Sequence, residues 1–194
     1  MKWQFKKEEI LILSAIAAID NNNGIGYKNE LLYSHKEDMK RFREVTEGHT
    51  VIMGYKTWKS LPKGYLPNRR NIVVLEGMQT SDAIDGKFPE ELSNFLWKNK
   101  DRINKDDIYF QWITLENLNT QYKDLREDDG KYFIIGGAKL YEATYPYLDR
   151  MYLTIFNKEK EADSFFPHFS FDRWDIIESS HPDEDTIFLT LDRK

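Results

Sequence analysis

Within SHKEDMKRFREV (Ser34–Val45) one acid stands in an unexpected place. Ser34 followed by Glu37 has the form of a capping box, which starts a helix at His35. Stepping about 100° per residue from Asp38 puts Phe42 at about +40° and Val45 at about −20°. The Asp38 carboxylate therefore falls inside the apolar stripe, while Glu37 and Arg41 are free to point outward. An acid on a buried face is costly unless something pairs with it. Two readings are open. One is an i,i+3 ion pair with Arg41, or simply an exposed helix edge. The other is a carboxylate that lines a pocket and grips a cationic or amidine-like group through two parallel hydrogen bonds.

A second kind of chemistry is written in glycines. KYFIIGGAKLYEATYP (Lys131–Pro146) runs from an aromatic, β-branched segment through Gly136 and Gly137 into a helical pattern. TVIMGYKTW (Thr50–Trp58) repeats the order strand, glycine, helix at Gly54. A helix start offers unpaired N–H groups and partial positive charge, and glycine lets a ligand approach the backbone. Two such junctions in one sheet could hold the two ends of a dinucleotide, with Lys56, Thr57 and Lys139 as added donors. Steric strand termination is the plainer use of a glycine. GIGYKN (Gly24–Asn29) lacks the third glycine of a dinucleotide fingerprint and precedes a loop. The four histidines have no metal-ligand spacing, so no metal site is expected.

The elements that must position these residues are short. β-rich runs occur at Ile10–Ile19, Thr50–Met53, Asn71–Leu75, Ile108–Thr114, Lys131–Ile135 and Met151–Phe156. Trp174–Glu178 and Thr186–Leu191 read as an antiparallel hairpin with a loose SSHPDED loop. Helical patterns fall at Lys36–Val45, Lys56–Leu61, Pro89–Lys98 and Ala138–Tyr145. Strands alternating with helices predict an α/β protein with a mostly parallel sheet and an antiparallel edge. At 194 residues the chain reads as one domain, residues 1–194. Gly77–Asp107 stands apart as a peripheral excursion packed on that domain, with Leu92, Phe95 and Leu96 on one helix face; a contact element for a partner is the alternative.

Composition narrows the class. A formal charge of −5 argues against general affinity for nucleic acid. There is no cysteine, which excludes disulfides, zinc–thiolate sites and thiol nucleophiles. The apolar run Ile10–Ile19 follows Lys2, Lys6 and Lys7 but has Glu8 and Glu9 directly before it. It reads as a buried strand rather than a secretory signal, so the expectation is a cytoplasmic protein with no membrane span.

Taken in order, AIAAID with GIG, EDMKRF, TVIMGYKTWKSL, LPNRRNIVV, IIGGAKLYE, MYLT and ADSFFP resemble the dihydrofolate reductase family from Ile12 to Asp192, apart from the excursion. The resemblance implies a single-domain, three-layer fold and NADPH-dependent reduction of 7,8-dihydrofolate to tetrahydrofolate, in one-carbon metabolism. Asp38 matches the acid of the pterin pocket, and Thr154 the threonine that hydrogen-bonds it. Phe42, Leu61 and Leu66 match apolar contacts to the pterin and benzoyl groups, and Arg69 the clamp on the glutamate carboxylate. Ile16, Ala17, Leu31 and Met39 join the substrate set. Ala18 matches a residue beside the nicotinamide; Ile135 and Tyr141 lie near both nicotinamide and pterin. Gly136, Gly137, Ala138, Lys139 and Leu140 match the turn against the cofactor diphosphate. Gly54, Tyr55, Lys56 and Thr57 match a junction on its other side, and Ile25 and Gly26 belong to the mobile loop Asp20–Glu30.

The departures from the family pattern concern the same sites. Leu32–Tyr33 replaces Pro-Trp, so Tyr33 offers a phenol where the family has an indole that organises water near the acid. Tyr55, Leu75 and Glu76 occupy the positions for the adenosine 2′-phosphate; Glu76 would repel it, leaving Lys56 as counter-charge. NADPH is the expected cofactor, with NADH use left open. Asn68 replaces a glycine before Arg69, and asparagine tolerates the left-handed conformation. A monomer is expected. Competing readings are a pyrimidine reductase of riboflavin synthesis and a non-catalytic nucleotide-binding or assembly protein; Asp38 with Arg69 favours folate over the first, and the intact acid, threonine and glycine pair oppose the second.

Overall fold

The computed structural model describes residues 13–78, 81, 86–103, 109–114, 118 and 131–194. The expected residues Ile10–Ile12 of the first strand, Gln79–Thr80, Asp82–Asp85 and Asn104–Asp107 of the excursion, and Ile108 lie outside them. Among the described residues, strands and α-helices run in the order β1 Leu13–Asp20, β2 Gly24–Tyr27, β3 Glu30–Leu31, α1 Lys36–Thr46, β4 Thr50–Gly54, α2 Tyr55–Ser60, β5 Arg70–Leu75, α3 Glu90–Asn99, β6 Tyr109–Thr114, β7 Tyr132–Ile134, α4 Ala138–Thr144, β8 Arg150–Phe156, β9 Ser164–Phe165, β10 Trp174–Asp183 and β11 Thr186–Arg193.

Eight strands form one sheet in the order β10-β11-β8-β1-β7-β4-β5-β6. The pairs from β8 to β6 are parallel, and β11 runs antiparallel to both β8 and β10. Parallel strands covered on both faces need near-continuous apolar runs, and the sequence supplies them. In β1, Leu13, Ala15, Ala17 and Ile19 enter one buried cluster while Ile16 enters the other. In β4, Ile52 faces the first cluster while Val51 and Met53 face the second. This period-2 division makes the three layers, with helices and loops covering both faces of the sheet.

Two expectations are corrected here. SSHPDED is not a loose loop: β10 continues to Asp183, with bulges after Ile176 and Ser180, and Glu184–Asp185 makes the turn. Asp185 N–H donates to Asp183 Oδ1 (3.0 Å), which closes it. The Asp20–Glu30 segment carries β2 and β3, which join β9 in a small second sheet of order β3-β2-β9. Asp20 organises it: its Oδ1 accepts from the backbone N–H of Asn22 (2.9 Å) and Gly24 (2.8 Å).

The excursion is anchored through α3. Leu92 is fully buried, and Phe95 and Leu96 pack on the second cluster, as the shared face predicts. Phe95 meets the Trp58 ring edge-on at 5.5 Å.

Candidate active site

Helix α1 runs beside the sheet with its N-terminal turn near β8. Asp38 is half-buried on that turn, and its carboxyl hydrogen-bonds Thr154. Thr154 is 2% exposed and pairs in register with Ala18 of β1 and Phe188 of β11. Burial raises the Asp38 carboxyl above the ordinary range; the Thr154 bond, Arg41 and His35 pull against that rise. A carboxyl poised this way can exchange charge and hydrogen bonds with a polar ring.

Two local readings of this helix are overturned. The N-cap is His35, not Ser34: His35 Nδ1 accepts from the Asp38 N–H, and Ser34 stays exposed outside the helix. Arg41 does not point outward. Its Nη1 donates to Leu153 O (2.9 Å) and its Nη2 to Leu189 O (2.8 Å). The guanidinium thus ties α1 to β8 and β11, and lies 4.8 Å from the centre of the Phe188 ring.

At the other end of α1 stands Arg69, 6% exposed. Its Nε donates to Thr46 Oγ1 (2.8 Å) and its Nη1 to Pro67 O (2.8 Å). Asn68 before it has φ 58°, the left-handed backbone expected at that position. At 1.5 Å per residue, Asp38 and Thr46 are separated by about 12 Å of helix. An acid and a buried guanidinium therefore stand at the two ends of α1. Ile16, Phe42, Leu61, Leu66 and Ile135 belong to the second apolar cluster. Met39 and Leu31 are exposed, at 50% and 70%. Ala17 packs with the first cluster, and Ala18 is partly open.

Tyr33 stacks on Phe156 with ring centres 4.4 Å apart, and Lys160 Nζ sits 4.3 Å from its ring centre. Its hydroxyl is buried without a hydrogen-bond partner among the described residues. The phenol is therefore not joined to Asp38 by a hydrogen bond. Burial and the charge of Asp20 push it above its ordinary value.

The two glycine junctions turn out to be one cradle. Gly54 N–H donates to Gly136 O (2.7 Å), because β4 and β7 are neighbours in the sheet. The two junctions are in direct contact. Gly136 has φ +114°, which favours glycine, and its peptide to Gly137 is cis. A Cβ at Gly136 would lie 3.4 Å from the Tyr141 ring and 3.5 Å from Thr57 Oγ1. Neither α2 nor α4 has a side-chain cap on its first N–H groups. Bare backbone donors, a threonine hydroxyl and no side-chain bulk suit a diphosphate.

Around the cradle the side chains divide. Leu140 and Leu75 are buried in the core, leaving only their backbone to face a ligand; Ala138 is partly open and Lys56 exposed. Glu76 pairs with Lys139 at 3.2 Å, so its charge is partly neutralised by the neighbouring helix. Tyr55 donates to Glu91 Oε2 (2.8 Å), and burial plus this carboxylate push its phenol up to about 12. Tyr141 is buried and its hydroxyl donates to Ile16 O (2.7 Å), locking α4 to β1. Ile25 and Gly26 lie on β2; Asp163 N–H donates to Gly26 O (3.0 Å), and Asp163 Oδ2 accepts from Lys28 N–H (2.8 Å).

The arrangement defines a class: an α/β protein with a bare-backbone glycine cradle on one side of β1 and a half-buried acid with its threonine on the other. The family model for dihydrofolate reductase matches residues 12–105 and 98–190. A curated dihydrofolate reductase of Bacillus subtilis is 32% identical over 174 residues, covering 90% of this chain and 86% of that protein. One of Staphylococcus aureus is 31% identical over 191 residues, covering 95% and 99%. Among solved structures, a dihydrofolate reductase from Enterococcus faecalis complexed with NADP(H) and RAB-propyl superposes with a TM-score of 0.68 at 23% identity, over 94% of this chain and 96% of that one. The chain belongs to the dihydrofolate reductase family.

Proposed function

We infer that this protein reduces 7,8-dihydrofolate to 5,6,7,8-tetrahydrofolate with NADPH, adding a hydride at C6 and a proton at N5 of the pterin. The observation that carries the assignment of residues is the half-buried Asp38, bonded to Thr154 at one end of α1, with buried Arg69 at the other. Asp38 accepts hydrogen bonds from a pterin ring N–H and the 2-amino group. Its negative charge stabilises the cation that forms as N5 gains a proton. Thr154 holds the carboxyl in the orientation that serves this pairing. Ile16, Phe42, Leu61, Leu66 and Ile135 exclude water from the ring, which strengthens every charge interaction inside. Arg69 donates from Nε to Thr46, from Nη1 to Pro67 O and, at 3.5 Å, from Nη2 to Arg43 O, and its two remaining Nη hydrogens would meet a carboxylate on the substrate tail.

When bound, NADPH supplies the hydride. Gly54, Gly136 and Gly137 would hold its diphosphate, with Thr57, Tyr55, Lys56, Ala138, Lys139 and Leu140 around it, and Ala18 and Tyr141 toward the nicotinamide. Lys139 and Lys56 are the cations available to its phosphates. The whole chain acts as one domain, and the excursion through α3 buttresses α2 through Glu91, which pairs with Lys59 at 2.6 Å.

The test is loss of reduced-nicotinamide absorbance on mixing purified protein, NADPH and dihydrofolate, with NADH in parallel. Asp38→Asn keeps NADPH binding and lowers turnover by about 10²- to 10⁴-fold, the span of acid–base assistance. Unchanged turnover in that variant rules out the role given to the acid.

A further inference from the structure

His35 makes a hydrogen bond with each ring nitrogen, and the two partners come from opposite ends of the chain. Nδ1 accepts the backbone N–H of Asp38 at 3.3 Å. Nε2 lies 2.9 Å from Asp183 Oδ2, 148 residues away at the tip of the β10–β11 hairpin. Those partners set the tautomer: an N–H donor needs a lone pair on Nδ1, and a carboxylate acceptor needs the proton on Nε2. The tip is itself fixed. Asn157 N–H donates to Asp185 O (2.8 Å), and Lys158 pairs with Asp185 at 2.7 Å. Phe156 meets the His35 ring edge-on at 5.5 Å, and His35 is only 27% exposed.

We propose that His35, oriented by Asp183, is a positioning residue for Asp38. It holds the first turn of α1 so that the carboxyl stays against Thr154. Asp38 is the third residue of that helix, so its N–H has no partner inside the helix and must find one outside it. The bond from His35 fixes the backbone atom from which the Asp38 side chain is hung. Only the ring with its proton on Nε2 alone does this. A ring with its proton on Nδ1 has no acceptor for the Asp38 N–H and leaves the turn free. The charged and titratable groups around the ring are Asp183, Glu184, Asp185 and Lys158 from the hairpin and the end of β8, Tyr33 before it, and Lys36, Glu37, Asp38 and Arg41 on α1. The inference rests on Asp38 being the acid of the proposed reaction.

The experiment compares wild type with His35→Leu, His35→Asn, Asp183→Ala and the His35→Leu/Asp183→Ala pair, each checked for a native thermal melt. His35→Leu lowers kcat/KM for dihydrofolate about tenfold, the scale of a lost N-cap. His35→Asn, which keeps an acceptor for the Asp38 N–H, restores most of it. The KM for NADPH is unmoved in both His35 variants. Asp183→Ala lowers kcat/KM by about three- to fivefold, and the double variant is no worse than His35→Leu, as expected for residues acting in series. Ring ¹⁵N shifts of His35 report the Nε2–H form in wild type. Asp183→Ala with wild-type kcat/KM, multiplied effects in the double variant, or an Nδ1–H ring in an active wild type would each overturn the inference alone. Wild-type protein without dihydrofolate-dependent turnover overturns the proposed function and the His35 role with it.

Discussion

Replacing Thr154 by valine isolates the support of the acid. The two side chains have nearly the same shape, and the site is 2% exposed, so the sheet keeps its packing across Ala18 and Phe188. What disappears is the hydroxyl that bonds the Asp38 carboxyl. A hydrogen bond to a charged group contributes about 1.5–3 kcal/mol, so kcat/KM for dihydrofolate should fall about 10- to 150-fold. The lower half of that range is expected, because Asp38 is only half-buried and water can partly replace the hydroxyl. The direction of the pH effect follows from the same bond. Thr154 pulls the Asp38 carboxyl down against its burial, so removing it lets the carboxyl rise further. The midpoint that belongs to Asp38 in the kcat/KM profile therefore moves to higher pH. Initial rates over a pH series, with dihydrofolate varied at saturating NADPH, read both quantities. A kcat/KM within about twofold of wild type and an unmoved midpoint would refute the idea that Thr154 holds the acid.

The other predictions concern stability, the substrate tail and the cradle. Because burial raises Asp38 in the folded state, that state holds the proton more tightly than the unfolded chain, and stability falls as pH rises through the interval from the ordinary value to the raised one. Asp38→Asn should thus be more stable than wild type at about pH 8 in urea unfolding, with the difference shrinking toward about pH 4 as Asp38 protonates. Arg69→Lys loses the planar fork that bonds Thr46 and Pro67. It should raise KM for dihydrofolate about tenfold with a smaller change in kcat, and equal losses in both would assign Arg69 to the chemistry instead. Gly136→Ala puts a Cβ at φ +114°, 3.4 Å from the Tyr141 ring. It should cost about 1–3 kcal/mol of stability and weaken NADPH in a fluorescence titration, and a variant that binds NADPH as wild type does would remove Gly136 from the cradle.

The elements of this protein, and most of its candidate site residues, were legible in the sequence because their signals are local. Period-2 runs placed the strands, Gly54 at the end of β4 and the glycine pair after β7 marked the junctions, and the 100° step put Asp38 in the apolar stripe. Asn68 before Arg69 announced its left-handed backbone for the same reason. Other features depended on contacts between distant segments. Ser34 and Glu37 formed a good capping box on paper, yet Asp183 orients the adjacent His35 ring from 148 residues away, and His35 caps the helix. Arg41 looked like a solvent-facing charge until β8 and β11 brought two carbonyls to it. The glycine junctions became one cradle only when β4 and β7 were paired, which let Gly54 bond Gly136. Lys139 found Glu76 in the same way. Spacing along a chain dictates which way a side chain leaves its own helix or strand. Which group it meets there is set by the sheet order and register, where the free energy of burying the two apolar clusters outweighs any single local preference.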